Sequence, residues 1–211
     1  DGKAETLDDK LKPQYYFLKG QALAGKVEGK GIKDLKAAVE AYNKALKGDS
    51  KYKQQIRNAK TSLSNSIVNE AVKDQNAKSF MKASDKLHLA YTMRKKDTSY
   101  LYFAASNAVN AKNYDTALKY YKTLSKINYD GSEPQYVGVA VDTGAEPVFQ
   151  EKKQRDVLVK GKQLRSPSVR KTPSRRGEVA RMVALIYVEQ GKDEEAIKAI
   201  EKAKATNPKD A

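Results

Sequence analysis

Four triplets of small, aliphatic or aromatic residues recur along the chain at a fixed internal spacing. Ala117, Tyr121 and Leu124 stand at offsets 0, 4 and 7, and Ala196, Ile200 and Ala203 repeat those offsets. So do Ala83, Leu87 and Ala90 upstream, and Ala38, Tyr42 and Ala45 near the start. Offsets 0, 4 and 7 share one face of a helix. Ala83 and Ala117 are 34 residues apart. A second helical face precedes each triplet: Leu101, Ala104, Ala105 and Ala108 recur as Ala180, Val183, Ala184 and Tyr187, and Tyr16, Gly20 and Leu23 take that role in the first unit. Small Ala105 and Ala184 let two antiparallel helices approach closely, with Ala117 and Ala196 meeting them from the partner helix. A helical pair of this length cannot bury its apolar face alone, so the units must stack. The expected fold is all-α, an α-solenoid of about four helical pairs.

This pattern resembles the tetratricopeptide repeat, a helix–turn–helix of about 34 residues. Residues 177–211 resemble it best, with small Ala184, aromatic Tyr187, Gly191 at the turn, then Ala196, Ala203 and Pro208. Residues 98–131 resemble it through Leu101, Tyr114, Ala117 and Tyr121. The two earlier repeats, about 12–50 and 51–97, are irregular. The turn "KVEGKGI" at 25–31 is longer than usual. Residues 51–75 read as one long first helix with a weak apolar face, and Asp74 stands where an aromatic is usual.

Between Ala117 and Ala196 lie 79 residues, one period plus an insertion of 45 at about 132–176. Val137, Val139 and Val141 alternate with the strand period, Asp142-Thr143-Gly144 signals a turn, and Val148-Phe149 is a short return strand. A β-hairpin is expected. "KKQRDVLVKG" reads as a short helix with Gly161 as its C-cap. "RSPSVRKTPSRR", punctuated by Pro167 and Pro173, reads as loop. The sequence therefore predicts a small hairpin-plus-helix insertion, ordered except at its tip, before the last repeat.

The insertion narrows the resemblance. "DTG" in the hairpin, Lys153-Gln154-Arg155-Asp156, "KTPSRR", Ala184-Leu185-Ile186-Tyr187 and the opening "DDKLKPQYYFLKGQAL" at 8–23 are similar to a group of exported tetratricopeptide proteins of Gram-negative bacteria. The similarity extends over nearly the whole chain. It implies a solenoid fold, a periplasmic location and a binding-scaffold role, with no established molecular activity. Asp1 opens the numbering without a Met. A leader, and any missing segment, are therefore expected ahead of it.

Catalysis finds little material. There is no cysteine, so disulfides, thiolate metal sites and a cysteine nucleophile are excluded. The one histidine, His88, sits on a second helix and reads as a partly exposed structural residue. No phosphate-binding glycine loop and no nucleophile elbow occur; "GKGIKD" at 29–34 lacks the required spacing. Asp193-Glu194-Glu195 opens a helix, where acids oppose the dipole. No catalytic residue, metal site or cofactor is expected. No stretch is long and apolar enough to span a membrane.

Two binding features remain. First-helix positions turned away from the core line the concave groove of such solenoids. Here they are Phe17, Gln21, Tyr102, Ser106, Val109, Asn110, Arg181, Leu185 and Val188. Aromatic, amide and Arg side chains together make a peptide-binding lining; inter-repeat packing is the structural alternative. The carboxylate clamp of some family members needs Lys and Asn in the first repeat, where this chain has Phe17 and Gln21, so that function is not carried over.

The net charge of +15 favours acidic partners without choosing among them. Seven cations without an acid fall at 160–176: Lys160, Lys162, Arg165, Arg170, Lys171, Arg175 and Arg176. They form either a polyanion-binding arm or a solvated loop. The favoured reading is a non-enzymatic scaffold for a protein or peptide partner, nucleic acid not being expected. The final helix turns one isoleucine, Ile197, outward among charged residues, and a self-capped monomer is expected.

Overall fold

A computed structural model describes residues 6–47 and 52–206. Among them the chain forms nine helices and three strands. In order these are α1 (Lys12–Ala24), α2 (Ile32–Leu46), α3 (Lys53–Asn76), α4 (Phe80–Met93), α5 (Ser99–Asn110), α6 (Tyr114–Lys126), β1 (Pro134–Ala140), β2 (Val148–Phe149), α7 (Lys152–Lys160), β3 (Leu164–Lys171), α8 (Arg176–Glu189) and α9 (Asp193–Thr206). Helices α1/α2, α3/α4, α5/α6 and α8/α9 pack as antiparallel pairs. Residues 48–51 between the first two pairs, and Pro208, lie outside the described residues.

Small residues set the close approaches. A Cβ on Gly20 of α1 would come within 2.6 Å of the Tyr42 ring on α2. Ala105 and Ala117 are wholly buried between α5 and α6. One turn then serves three pairs. Lys78, Lys112 and Gly191 all adopt left-handed backbone, with φ of 57°, 57° and 67°. After each of them the next amide reaches back to a carbonyl of the helix just ended: Ser79 to Asp74, Asn113 to Ala108 and Lys192 to Tyr187. The first pair differs. Its longer turn buries Val27, and Lys30 Nζ donates to the Leu23 carbonyl at the end of α1.

The apolar interior divides in two. One core joins α1 and α2 to the first part of α3, through Leu35, Tyr42, Ile56, Leu63 and Ile67, with Leu89 and Ala90 of α4. The other gathers Ala71 and Leu87 with Leu101, Tyr121, Leu124, Val179 and Ile186 of α5, α6 and α8. Tyr100 packs against both. Asp74, where the repeat usually carries an aromatic, instead holds the Nζ of the buried Lys86 of α4 at 2.7 Å. An ion pair therefore bridges the weakly apolar α3 to its partner.

The insertion corrects one expectation. Residues 164–171 are not loop: they form β3, giving an antiparallel sheet of order β2-β1-β3. Tyr136 faces Phe149 on one side and Val169 on the other. Pro167 is tolerated because β3 is an edge strand. The register shifts between Val137 and Val139, and Ser166 opposite that shift has φ 49°. Gly138 gives the buried Leu164 side chain room there, since a Cβ on it would come within 3.1 Å. Helix α7 packs on the sheet through Arg155. Its buried guanidinium donates to the Ser168 carbonyl at 2.9 Å, pairs with Asp156 at 2.6 Å and lies 5.6 Å from the centre of the Tyr136 ring. The insertion leaves and rejoins the repeats at one place. The Arg175 amide donates to the Asp130 carbonyl at 2.7 Å, and Thr172 N donates to the Glu133 carbonyl.

Candidate functional site

The first helices of successive pairs are linked side by side. Asn107 Nδ2 of α5 donates to Gln75 Oε1 of α3 at 3.2 Å, and the Tyr102 hydroxyl of α5 donates to Glu178 of α8. Phe17 of α1 stacks on Tyr52 just ahead of α3, their ring centres 5.5 Å apart. These links hold α1, α3, α5 and α8 as one layer, and the residues assigned to a groove all lie on it.

They divide by burial. Phe17 and Tyr102 are buried, 8% and 6% exposed, and so offer no surface to a partner. Phe17 packs between Tyr42 and Tyr52. Tyr102 stacks on Tyr129, its ring capped by the Arg175 guanidinium 4.8 Å from the centre. Burial raises the Tyr102 pKa above the ordinary phenol value, and the bond to Glu178 adds to the rise. This Tyr129–Tyr102–Arg175 sandwich, closed by Glu178, secures the base of the insertion to α5. Nothing in the local sequence marks it, because its members lie far apart along the chain. Val109 is partly buried against the second core, and Ser106 is partly buried. Gln21, Asn110 and Arg181 are exposed. Leu185 and Val188 on α8 are exposed by 49% and 53%. Phe103, which the sequence reading left outside the set, is exposed by 44% on α5 beside Tyr102.

The basic segment also divides. Arg170 pairs with Glu146 at 2.5 Å, Arg175 approaches Glu178 at 3.8 Å and Arg176 approaches Asp130 at 3.9 Å. Lys160, Lys162, Arg165 and Lys171 are exposed and take part in none of the ion pairs among the described residues. They sit at the end of α7, in the α7–β3 turn and at the two ends of β3.

A polar cleft lies where the α4–α5 turn meets the strand entering the insertion, lined by Lys96, Asp97, Thr98, Ser99, Tyr100, Tyr129 and Glu133. Among the described residues no group of three His, Asp or Glu side chains converges as a metal-binding set. No described helix is long and apolar enough to cross a membrane. His88 stacks on Tyr120 with ring centres 4.5 Å apart.

The tetratricopeptide repeat family model matches residues 182–210, from within α8 through α9. No curated protein matches the chain. Two solved structures are similar at low identity. One, titled "MamA MSR-1 C2", is 12% identical, with 95% of this chain and 99% of that chain covered and a TM-score of 0.42. The other, "Crystal structure of MamA protein", is 14% identical, with 94% and 93% covered and a TM-score of 0.42. The chain thus carries a tetratricopeptide repeat at α8/α9, and the same left-handed turn joins that pair and two others.

Proposed function

We propose that the chain is a non-enzymatic scaffold that holds a protein or peptide partner against its layer of first helices. We place it in the bacterial periplasm, on its similarity to exported repeat proteins. One observation carries the binding surface. Arg181, Leu185 and Val188 form an exposed stripe on α8, a cation beside two large apolar side chains, while neighbouring positions of the same helix are buried in the core. Asn110 and Phe103 add an amide and a ring from α5. Such a mixture suits an extended or helical peptide: apolar anchors supply the affinity and the polar groups fix orientation. Tetratricopeptide repeats generally serve as interaction scaffolds, which supports the same reading. The test is capture from envelope extract by the immobilised protein and by an Arg181→Glu/Leu185→Asp variant. A partner lost by the variant supports the stripe, whereas one retained at equal yield rejects it.

A second reading has one observation behind it, the four exposed cations Lys160, Lys162, Arg165 and Lys171. If they bind a polyanion, retention on heparin should fall steeply with salt, because each neutralised charge releases counterions. Replacing all four with Ala should remove most of it. Retention indifferent to both changes ends this reading.

A further inference from the structure

Strand β3 is the outer edge of the insertion's sheet, paired with β1 on one side only. Thr172 N donates to the Glu133 carbonyl, in one register with the pairs Gln135–Arg170 and Val137–Ser168. Antiparallel bonding alternates along a strand, so Ser168, Arg170 and Thr172 turn their backbone toward β1, and Val169 and Lys171 turn theirs outward. Among the described residues no backbone group bonds to that outward pair. The Arg155 contact from α7 falls on the Ser168 carbonyl, which belongs to the inward set.

The side chains add a pattern to this edge. Every residue of β3 after Leu164 is exposed. Val169 and Lys171, two apart, share a face. Val169 is 56% exposed, and Lys171 takes part in none of the ion pairs among the described residues. Open edges are commonly guarded by charge, proline and bulges, and β3 has all three: Arg165, Arg170 and Lys171, then Pro167, then the irregularity at Ser166. Here the guard is selective. Its charges have one sign and the strand holds no acid, so a second copy of β3 is repelled while an acidic strand is attracted. Pro167 and the irregularity lie upstream and confine pairing to residues 168–171.

We propose that β3 accepts an extended acidic segment of a partner protein as a fourth strand. The segment pairs its backbone with Val169 and Lys171, and sets an apolar side chain beside Val169 and, two residues away, an acid beside Lys171. Arg170 is already held by Glu146. The site is separate from the α8 stripe. It shares Lys171 with the polyanion reading but needs the backbone as well as the charge, so blocking the backbone distinguishes the two.

The experiment is fluorescence anisotropy of the full chain with a labelled, end-blocked peptide, Thr-Glu-Thr-Val-Thr-Glu-Thr. The peptide should bind saturably. N-methylation at its Val and Glu residues removes the amides that face β3 and should abolish binding. N-methylation at its Thr residues, whose amides face away, should leave binding intact. Val169→Pro removes the outward donor and should have the same effect as the first peptide. Lys171→Glu should weaken binding about tenfold, as an attractive cross-strand pair becomes a repulsive one. The Arg181→Glu/Leu185→Asp variant should bind the peptide as the parent does. Should Val169→Pro disturb the sheet, Lys171→Glu and the two methylated peptides carry the test. An unmodified peptide that does not bind overturns the proposal. So does equal binding of both methylated peptides, which leaves charge alone, and so does self-association of the chain abolished by Val169→Pro, which would seat a second copy on the edge.

Discussion

His88 is the only imidazole in the chain, and it is placed to make stability depend on pH. Burial beside Tyr120 pushes its pKa below 6.5, with Lys119 and Lys36 acting in the same direction and Asp85 against. The folded chain therefore takes up this proton less readily than the unfolded chain. Acidification through 6.5 favours unfolding until the lowered folded value is passed. The melting temperature should fall between about pH 7.5 and about pH 5.5, a window in which His is the side chain that ordinarily titrates. The carboxyls with shifted values, Asp9, Glu70, Asp130 and Asp156, are all lowered and act in more acidic solution. His88→Phe preserves the ring stack and should flatten the slope; equal slopes in the two proteins would refute this account. At this scale the sequence was legible where a residue's role is local. Gly20, Ala105 and Ala184 were readable as close-packing positions because a helical period fixes their face. Tyr102 was not. It shares a helix with the exposed Phe103 and Asn110, and only tertiary structure brings Glu178, seventy-six residues on, to its hydroxyl.

The shared turn is the element whose chemistry is most open to test. Gly191 adopts left-handed backbone freely, whereas Lys78 and Lys112 do so against a steric cost of about 1–2 kcal/mol. Lys78→Gly and Lys112→Gly should each raise stability, by about 0.5–1 kcal/mol once the extra freedom of the unfolded chain is counted. Thermal melting checks this, and a loss of stability would show that the lysine side chains hold the turns. Only Gly191 was readable as a turn from sequence, because a lysine announces no backbone conformation. Strand β3 was hidden for another reason. Pro167 inside the segment argues against a strand, and the partner that overrides it, β1, lies about thirty residues away. In the same insertion, Arg155→Ala removes a buried guanidinium that ties α7 to β3. The loss should be about 1.5–3 kcal/mol, as for hydrogen bonds from a charged group. Amide exchange should accelerate in residues 134–171 and stay slow in α5 and α6. Unchanged exchange in the sheet would mean that other contacts hold α7.

Across the whole molecule, two cores that meet along α3 and α4 imply two stability units rather than one. Leu35 is fully buried in the first. Leu35→Ala should cost about 2–5 kcal/mol there. Hydrogen exchange should then quicken in α1, α2 and the first half of α3, while α5, α6 and α8 keep their protection. Uniform acceleration would show that α3 and α4 couple the halves into a single cooperative block. The insertion stands apart from both cores in one respect. Its two ends are pinned together by the Arg175 amide on the Asp130 carbonyl, so α6 hands on to α8 across a closed gate rather than through the sheet. A segment joined in that way is a cassette. Descendants of this gene can lengthen, shorten or exchange everything between the pins while inheriting the angle between the flanking repeats unchanged, and a foreign domain spliced between Asp130 and Arg175 would have no path to rebuild.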